Sequence, residues 1–233
     1  MRAGPFAGLT VTASPSYGDG SVRRFFGYGW RGDERVGGGS GAVGGRDDAG
    51  LDAALAAAIG GDEHAFAALW RSIQPALLRY LRVVVGAAAE DVASETWLQA
   101  ARDLGAFDGG ATAFRVWVFR IARHRGMDER RREGRRREDA REPSDQALGG
   151  TPVPDASVDV MERSGTAWAL GLIATLPTDQ AEAVMLRVVA GLGVAQVAEV
   201  LGKRPGAVRV ASMRGLRRLA RHPEVRARAG GEV

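Results

Sequence analysis

Between Gly202 and His222 stand Lys203, Arg204, Arg209, Arg214, Arg217, Arg218 and Arg221, with no acid among them. Side chains of this type can do two things to a nucleic acid. A guanidinium neutralises phosphate, and it can also grip the edge of guanine with two hydrogen bonds, worth about 1–3 kcal/mol of discrimination. Either act needs a rigid carrier that enters a groove, and the surrounding residues supply one. Val194, Val197, Ala198 and Leu201 recur at helical spacing, with Gln196 and Glu199 on the other side. Gly202 suits a left-handed helix cap, and Pro205 suits the first position of a following helix. That second helix would turn Val208, Ala211, Gly215 and Leu219 inward, the small residues permitting a close crossing. Its basic face would then point outward. A solvated arginine-rich helix, or one lying on a membrane surface, has a similar composition. The helix-turn-helix punctuation favours the groove of duplex DNA.

A second stretch mixes aromatic and basic residues: FRVWVFRIARHRGMDERRR, from Phe114 onward. Phe114, Trp117, Val118, Ile121 and Ala122 can face a core, while Arg115, Arg120, Arg123, His124 and Arg125 lie between them. Such interleaving offers ring faces for unpaired bases and cations for the strand's backbone. An ordinary core with a solvated arginine face fits the same residues equally well. Catalytic chemistry has little to work with. His64, His124 and His222 are scattered without metal-ligand spacing, and there is no cysteine. Asp62 and Glu63 beside His64 read better as a helix N-terminus than as a catalytic cluster. No glycine-rich loop follows a convincing strand. The expectation is a protein that is not an enzyme and uses no metal and no cofactor.

These stretches need a scaffold, and the rest of the chain predicts a helical one. Residues 1–48 form a glycine-rich arm, expected to be disordered, to which no role is assigned. Helical patterning begins near Leu51. Asp62 can cap a helix whose apolar face holds Phe66, Leu69, Trp70, Ile73, Leu77, Leu78 and Leu81, with Pro75 predicting a kink. After a break at Gly86, Glu90 and Asp91 open another helix, where the macrodipole favours acids, and Val92, Thr96, Ala100 and Leu104 face inward. The loop AFDGGATAF leads into the aromatic–basic helix. A proline-, glycine- and acid-rich linker over 134–163 separates this front domain, 49–133, from a rear domain, 164–225, with 226–233 as a tail. The fold class is therefore all-α: two small helical domains joined by a flexible linker, the C-terminal one a helix-turn-helix. The net charge of +4 and pI near 10.2 favour an anionic partner. No apolar run is long enough to cross a bilayer, and the N-terminus lacks a signal-peptide pattern, so a cytoplasmic location without membrane contact is expected.

GDEHAFAALW, AEDVASETWLQA and FRVWVFRIARHRGMD, followed by LPTDQAEAVMLRVVAGLGVAQVAEVLGKRPGAVRVASMRGLRRL, resemble regions 2 and 4 of RNA polymerase sigma factors of the extracytoplasmic-function (ECF) group, in the sigma-70 family. The likeness spans roughly residues 60–221. It implies a subunit that binds core RNA polymerase and directs transcription initiation at specific promoters. By that likeness Glu90, Asp91, Glu95, Trp97 and Gln99 would dock on the clamp helices of the largest polymerase subunit. Phe107, Asp108 and Phe114, with Arg120, Arg123, His124 and Arg125, would hold a flipped base and the melted strand of the minus-ten element; His124 stands where asparagine is frequent. Arg209, Val210, Met213 and Arg214 would point at base edges of the minus-thirty-five duplex, with Lys203 and Arg204 on phosphate and Arg217 and Arg218 also among the DNA-binding residues. Gly193 replaces the usual Ser or Thr cap, and Ser212 replaces a buried apolar residue, so its hydroxyl would bond the backbone one turn back or lie near the domain edge. An anti-sigma protein is a further partner that the resemblance suggests. A stand-alone helix-turn-helix regulator, acting without polymerase, is the alternative reading.

Overall fold

The computed structural model describes residues 45–139 and 160–230. Most of the expected arm, the linker between 140 and 159, and residues 231–233 of the tail lie outside the described residues. Among the described residues all regular structure is helical. The front half comprises α1 (Gly45–Ile59), α2 (Glu63–Val85), α3 (Ala89–Asp103) and α4 (Ala111–Asp139). The rear half comprises α5 (Val160–Ala174), α6 (Thr178–Val184), α7 (Val194–Leu201), α8 (Pro205–Ala220) and α9 (Pro223–Gly230). α6 runs on into a π-helical turn, Met185–Val189.

Local chemistry explains where these helices start and stop. Asp62 accepts hydrogen bonds from the backbone N–H groups of His64 (2.8 Å) and Ala65 (3.1 Å), so α2 has the cap that its sequence predicts. α2 continues without a break through Pro75 to Val85, and Gly86 ends it at φ 59°. The start of α4 is capped from a distance: Asp52 of α1 accepts from the N–H of Ala111 at 2.6 Å. That contact ties the first helix to the loop before the aromatic–basic segment. At its far end α4 extends to Asp139, beyond the expected linker boundary at 134. Ion pairs at helical spacing, Arg131–Asp128 and Arg132–Glu129, precede that boundary, and Arg137–Glu133 spans it into the extra turn.

The inward faces follow the sequence pattern, with one exception on α2. Phe66, Leu69, Ile73, Leu77 and Leu81 are buried, but Trp70 is 41% exposed and leaves the expected apolar face. Val92, Thr96 and Ala100 of α3 and Leu104 in the turn after it are all buried, and the Thr96 hydroxyl donates to the Val92 carbonyl at 2.7 Å. The buried apolar side chains of the two halves form one continuous cluster, from Leu55 in α1 to Val208 in α8. α9 is fastened to α5 by Trp168, whose indole N–H donates to Glu224 at 2.8 Å while the Arg228 guanidinium lies 4.9 Å above the ring.

In α8, Gly215 serves a crossing other than the one inferred between the two helices of the helix-turn-helix. A Cβ there would lie 2.8 Å from Val184 Cγ2 and 3.3 Å from Gln180 Cβ, both on α6. Val184 is itself buried and cannot yield. Gly215→Ala should therefore destabilise the protein by about 1–3 kcal/mol despite the better helix propensity of alanine. Gly206, on the same helix with open space around it, provides the contrast. Gly206→Ala should raise stability by up to about 1 kcal/mol. Urea unfolding of both variants checks this, and equal signs would refute the close α6–α8 crossing as the cause.

Candidate nucleic-acid interface

The helix-turn-helix is built as its sequence predicts. Gly202 takes the left-handed conformation (φ 62°, ψ 35°), and its N–H and that of Lys203 close the end of α7. Pro205 then occupies the first turn of α8. At the start of α7 the Gly193 N–H donates to Gln196 Oε1 at 2.6 Å, so the glutamine side chain reaches back to cap a helix that lacks a Ser or Thr cap. Val208 is fully buried on the inner face of α8, whose outer face presents Arg209, Val210, Met213, Arg214, Arg217 and Arg218, with Arg204 just before it, all exposed. These arginines make no ion pair among the described residues. Lys203 differs, because its ammonium pairs with Asp179 at 2.6 Å and is partly neutralised. Ser212 is buried and its hydroxyl has no hydrogen-bond partner among the described residues, so it makes no bond to the backbone one turn back, the first of the two placements expected of it. Leu216 adds a 48% exposed apolar side chain to the same face, which the sequence reading had not included.

The front half offers a second surface at the start of α4. Phe107, Phe114 and Trp117 pack as one aromatic group, with ring centroids 5.1–5.7 Å apart. Phe114 is fully buried, so it supports the group and is not itself the stacking surface expected of it. Phe107 and Trp117 are half-buried and show part of their rings, while Asp108 is exposed on the loop between α3 and α4. Trp117 thus belongs at the edge of the site as well as against the core. Along α4, His124 lies outward beside Arg123 and Arg120. Partial burial, then those two guanidiniums, hold its imidazole below the ordinary histidine range, so it is neutral at pH 7.

The expected strand-holding arginines divide among other tasks. Arg125 donates to Gln99 Oε1 (3.0 Å) and pairs with Glu95 (3.2 Å), which joins α4 to α3. Two residues expected at the polymerase surface are therefore committed to one expected at the DNA surface. Arg120 pairs with Glu199 of α7 at 3.6 Å, and Arg123 pairs with Glu182 of α6 at 3.2 Å. Glu182 is a buried acid that sequence reasoning missed. Its spacing from Met185, Leu186 and Val189 places it on the apolar stripe of its helix, and that misplaced charge was the available signal. Its Oε1 also accepts from the Tyr80 hydroxyl at 3.2 Å. Burial, then the Glu182 carboxylate, push the Tyr80 phenol well above its ordinary range and keep it a donor.

On α3, Glu90, Asp91, Ser94 and Glu95 are exposed in a row, with Arg82 within 3.5 Å of Glu90. Trp97 is a correction. It is only 6% exposed, stands edge-on to Phe66 at 5.8 Å, and donates its indole N–H to Gln74 at 2.6 Å. A large ring at that position fills the core between α2 and α3 and cannot meet a partner. No group of three or more metal-ligating side chains occurs among the described residues. No described helix is long and apolar enough to cross a membrane.

An all-helical chain that exposes an arginine-lined second helix of a helix-turn-helix belongs to the DNA-binding transcription proteins. Comparison with known proteins narrows the class. The family model described as Sigma-70 region 2 matches residues 69–136, and that described as Sigma-70, region 4 matches residues 167–219. The ECF RNA polymerase sigma factor SigD of Mycobacterium tuberculosis is 33% identical over 175 residues, covering 72% of this chain and 82% of that protein. ShbA of Streptomyces griseus, another ECF sigma factor, is 36% identical over 173 residues, covering 70% of this chain and 89% of its own. Among solved structures, CnrH bound to the cytosolic domain of CnrY aligns with a TM-score of 0.52 at 22% identity, covering 73% of this chain and 95% of that one. The sigma factor RpoE of Bartonella quintana, bound to the anti-sigma factor NepR, gives the same score and identity over 66% of this chain and 94% of that one. The chain belongs to the ECF group of the sigma-70 family of RNA polymerase sigma factors.

Proposed function

We propose that this sigma factor joins core RNA polymerase and reads a promoter at two places in two physical states. α8 reads the minus-thirty-five element as duplex through Arg209, Val210, Met213 and Arg214, with Arg204, Arg217 and Arg218 on phosphates. The loop before α4 and the Phe107–Trp117 edge take an unpaired base of the minus-ten element, offsetting the few kcal/mol needed to extract it. The α3 row of Glu90, Asp91 and Glu95 meets the clamp helices of polymerase. The two readers are assigned to residues 49–133 and 164–225. The chain makes and breaks no bond itself, works in the cytoplasm, and has an anti-sigma protein among its candidate partners, as in the RpoE–NepR complex.

The observation that carries this reading is the cationic outer face of α8, exposed and almost free of internal ion pairs. The test is to sequence the RNA 5′ ends made by core polymerase with and without the purified protein on genomic DNA. New starts sharing two upstream elements are expected only with the protein. Tight, specific duplex binding that is indifferent to core polymerase would instead identify a stand-alone regulator.

A further inference from the structure

α1 does more than cover α2. It also touches both flanks of the loop that precedes α4: the turn Leu104–Ala106 on one side and α4 on the other. Leu51 and Leu55 pack into the core, so α1 is fixed on either side of Asp52 in sequence. Asp52 itself is exposed and adds nothing to that core; its Oδ1 accepts from the Ala111 N–H at 2.6 Å. Ala111 is buried, and its amide is one of the donors that a helix start leaves without an internal partner. The loop leaves room for the carboxylate, because a Cβ on Gly110 would lie 3.0 Å from the same oxygen. Beside it Gly109 stands at φ 145°, a conformation that favours glycine. Two adjacent glycines give this segment wide backbone freedom, so holding one shape costs it more entropy than most loops.

We propose that Asp52 is a positioning residue for base reading: its carboxylate, carried by α1, pre-forms the Phe107–Ala111 loop so that the Phe107–Trp117 edge meets an unpaired base already in shape. This rests on the base-taking role given to that loop above. Asp52 acts through the Ala111 amide and not on the base. A loop held in its binding shape beforehand leaves less freedom to be lost when the base arrives, and affinity rises accordingly. The negative charge also lies at the N-terminus of α4, where the helix dipole favours it, so the contact is reinforced by the helix it starts. α1 thereby takes part in reading a strand that it does not touch.

The test uses full-length wild type, Asp52→Ala and Asp52→Asn, each assembled with core polymerase at a temperature where circular dichroism shows all three folded. The probe is a single-stranded oligonucleotide carrying the minus-ten element found by the 5′-end sequencing above, with copies abasic at each position in turn. Wild type should bind the copy that lacks the extracted base markedly more weakly than the intact strand. Asp52→Ala should bind the intact strand roughly fivefold more weakly than wild type, the fold-change to which one lost capping bond converts. Its affinity for the abasic copy should match that of wild type. Asp52→Asn keeps an acceptor oxygen and should restore most of the loss. In the free proteins, amide exchange over residues 107–111 should run roughly fivefold faster in Asp52→Ala and near the wild-type rate in Asp52→Asn. Wild-type exchange in Asp52→Ala, or discrimination against the abasic copy as full as that of wild type, overturns the proposal. So does an equal loss on intact and abasic strands, which is what general weakening of the fold would produce. Should wild type itself be indifferent to every abasic site, the base-taking role of the loop is what fails, and the positioning role falls with it.

Discussion

Arg209→Ala and Arg214→Ala should each reduce transcription from the cognate promoter by roughly 10- to 100-fold, the loss expected when about 1–3 kcal/mol of base readout disappears. Both side chains are exposed on the outer face of α8 and make no ion pair among the described residues, so removing them costs the fold little. Thermal unfolding and association with core polymerase should therefore match wild type. Arg217→Ala, by contrast, should weaken promoter binding evenly across sequences and flatten its salt dependence, as loss of a phosphate contact does. Runoff transcription on promoters with single substitutions in the minus-thirty-five element separates the two cases. Equal loss of promoter use and core binding in Arg209→Ala would show damage to the fold and overturn the readout assignment.

How far the sequence could be read depended on the range of the interaction. Helix limits set by near neighbours were legible: the Asp62 cap, the left-handed Gly202 and Pro205 all stand as predicted. The exposed face of α8 was legible too, because a cationic stripe has nowhere else to go. Contacts between residues far apart in sequence were not. Asp52 capping α4 joins positions 59 residues apart, and Tyr80 and Glu182 are 102 apart, so no local period announces either. The seam between the halves was missed for the same reason. A linker signal says that two pieces can separate, but it does not say whether their surfaces fit each other. Arginine itself was the most ambiguous residue. Arg123 and Arg209 look alike in composition, yet one is held by a buried acid and the other projects into solvent.

Aromatic residues near a functional stretch carry a related ambiguity, and Trp97 tests it. Trp97→Ala should destabilise the front half by about 3–5 kcal/mol, the usual cost of deleting a large buried ring. A small domain has only about 5–15 kcal/mol in total, so much of the protein would be unfolded or aggregated at 37 °C. The ring supplies both an edge-on contact with Phe66 and the donor for Gln74, and alanine replaces neither. Trp97→Phe keeps most of the volume and should recover most of that stability, losing the indole hydrogen bond and some packing. Asp91→Ala, exposed on the same helix, should leave unfolding nearly unchanged while weakening association with core polymerase, whereas Glu95→Ala also gives up the Arg125 pair and should cost up to about 1 kcal/mol of stability as well. Melting curves set beside core-binding titrations for these four variants distinguish a packing residue from a docking one. A Trp97→Ala protein that melts like wild type and fails only to bind core would return the tryptophan to the polymerase surface, and with it the outward orientation of that face of α3.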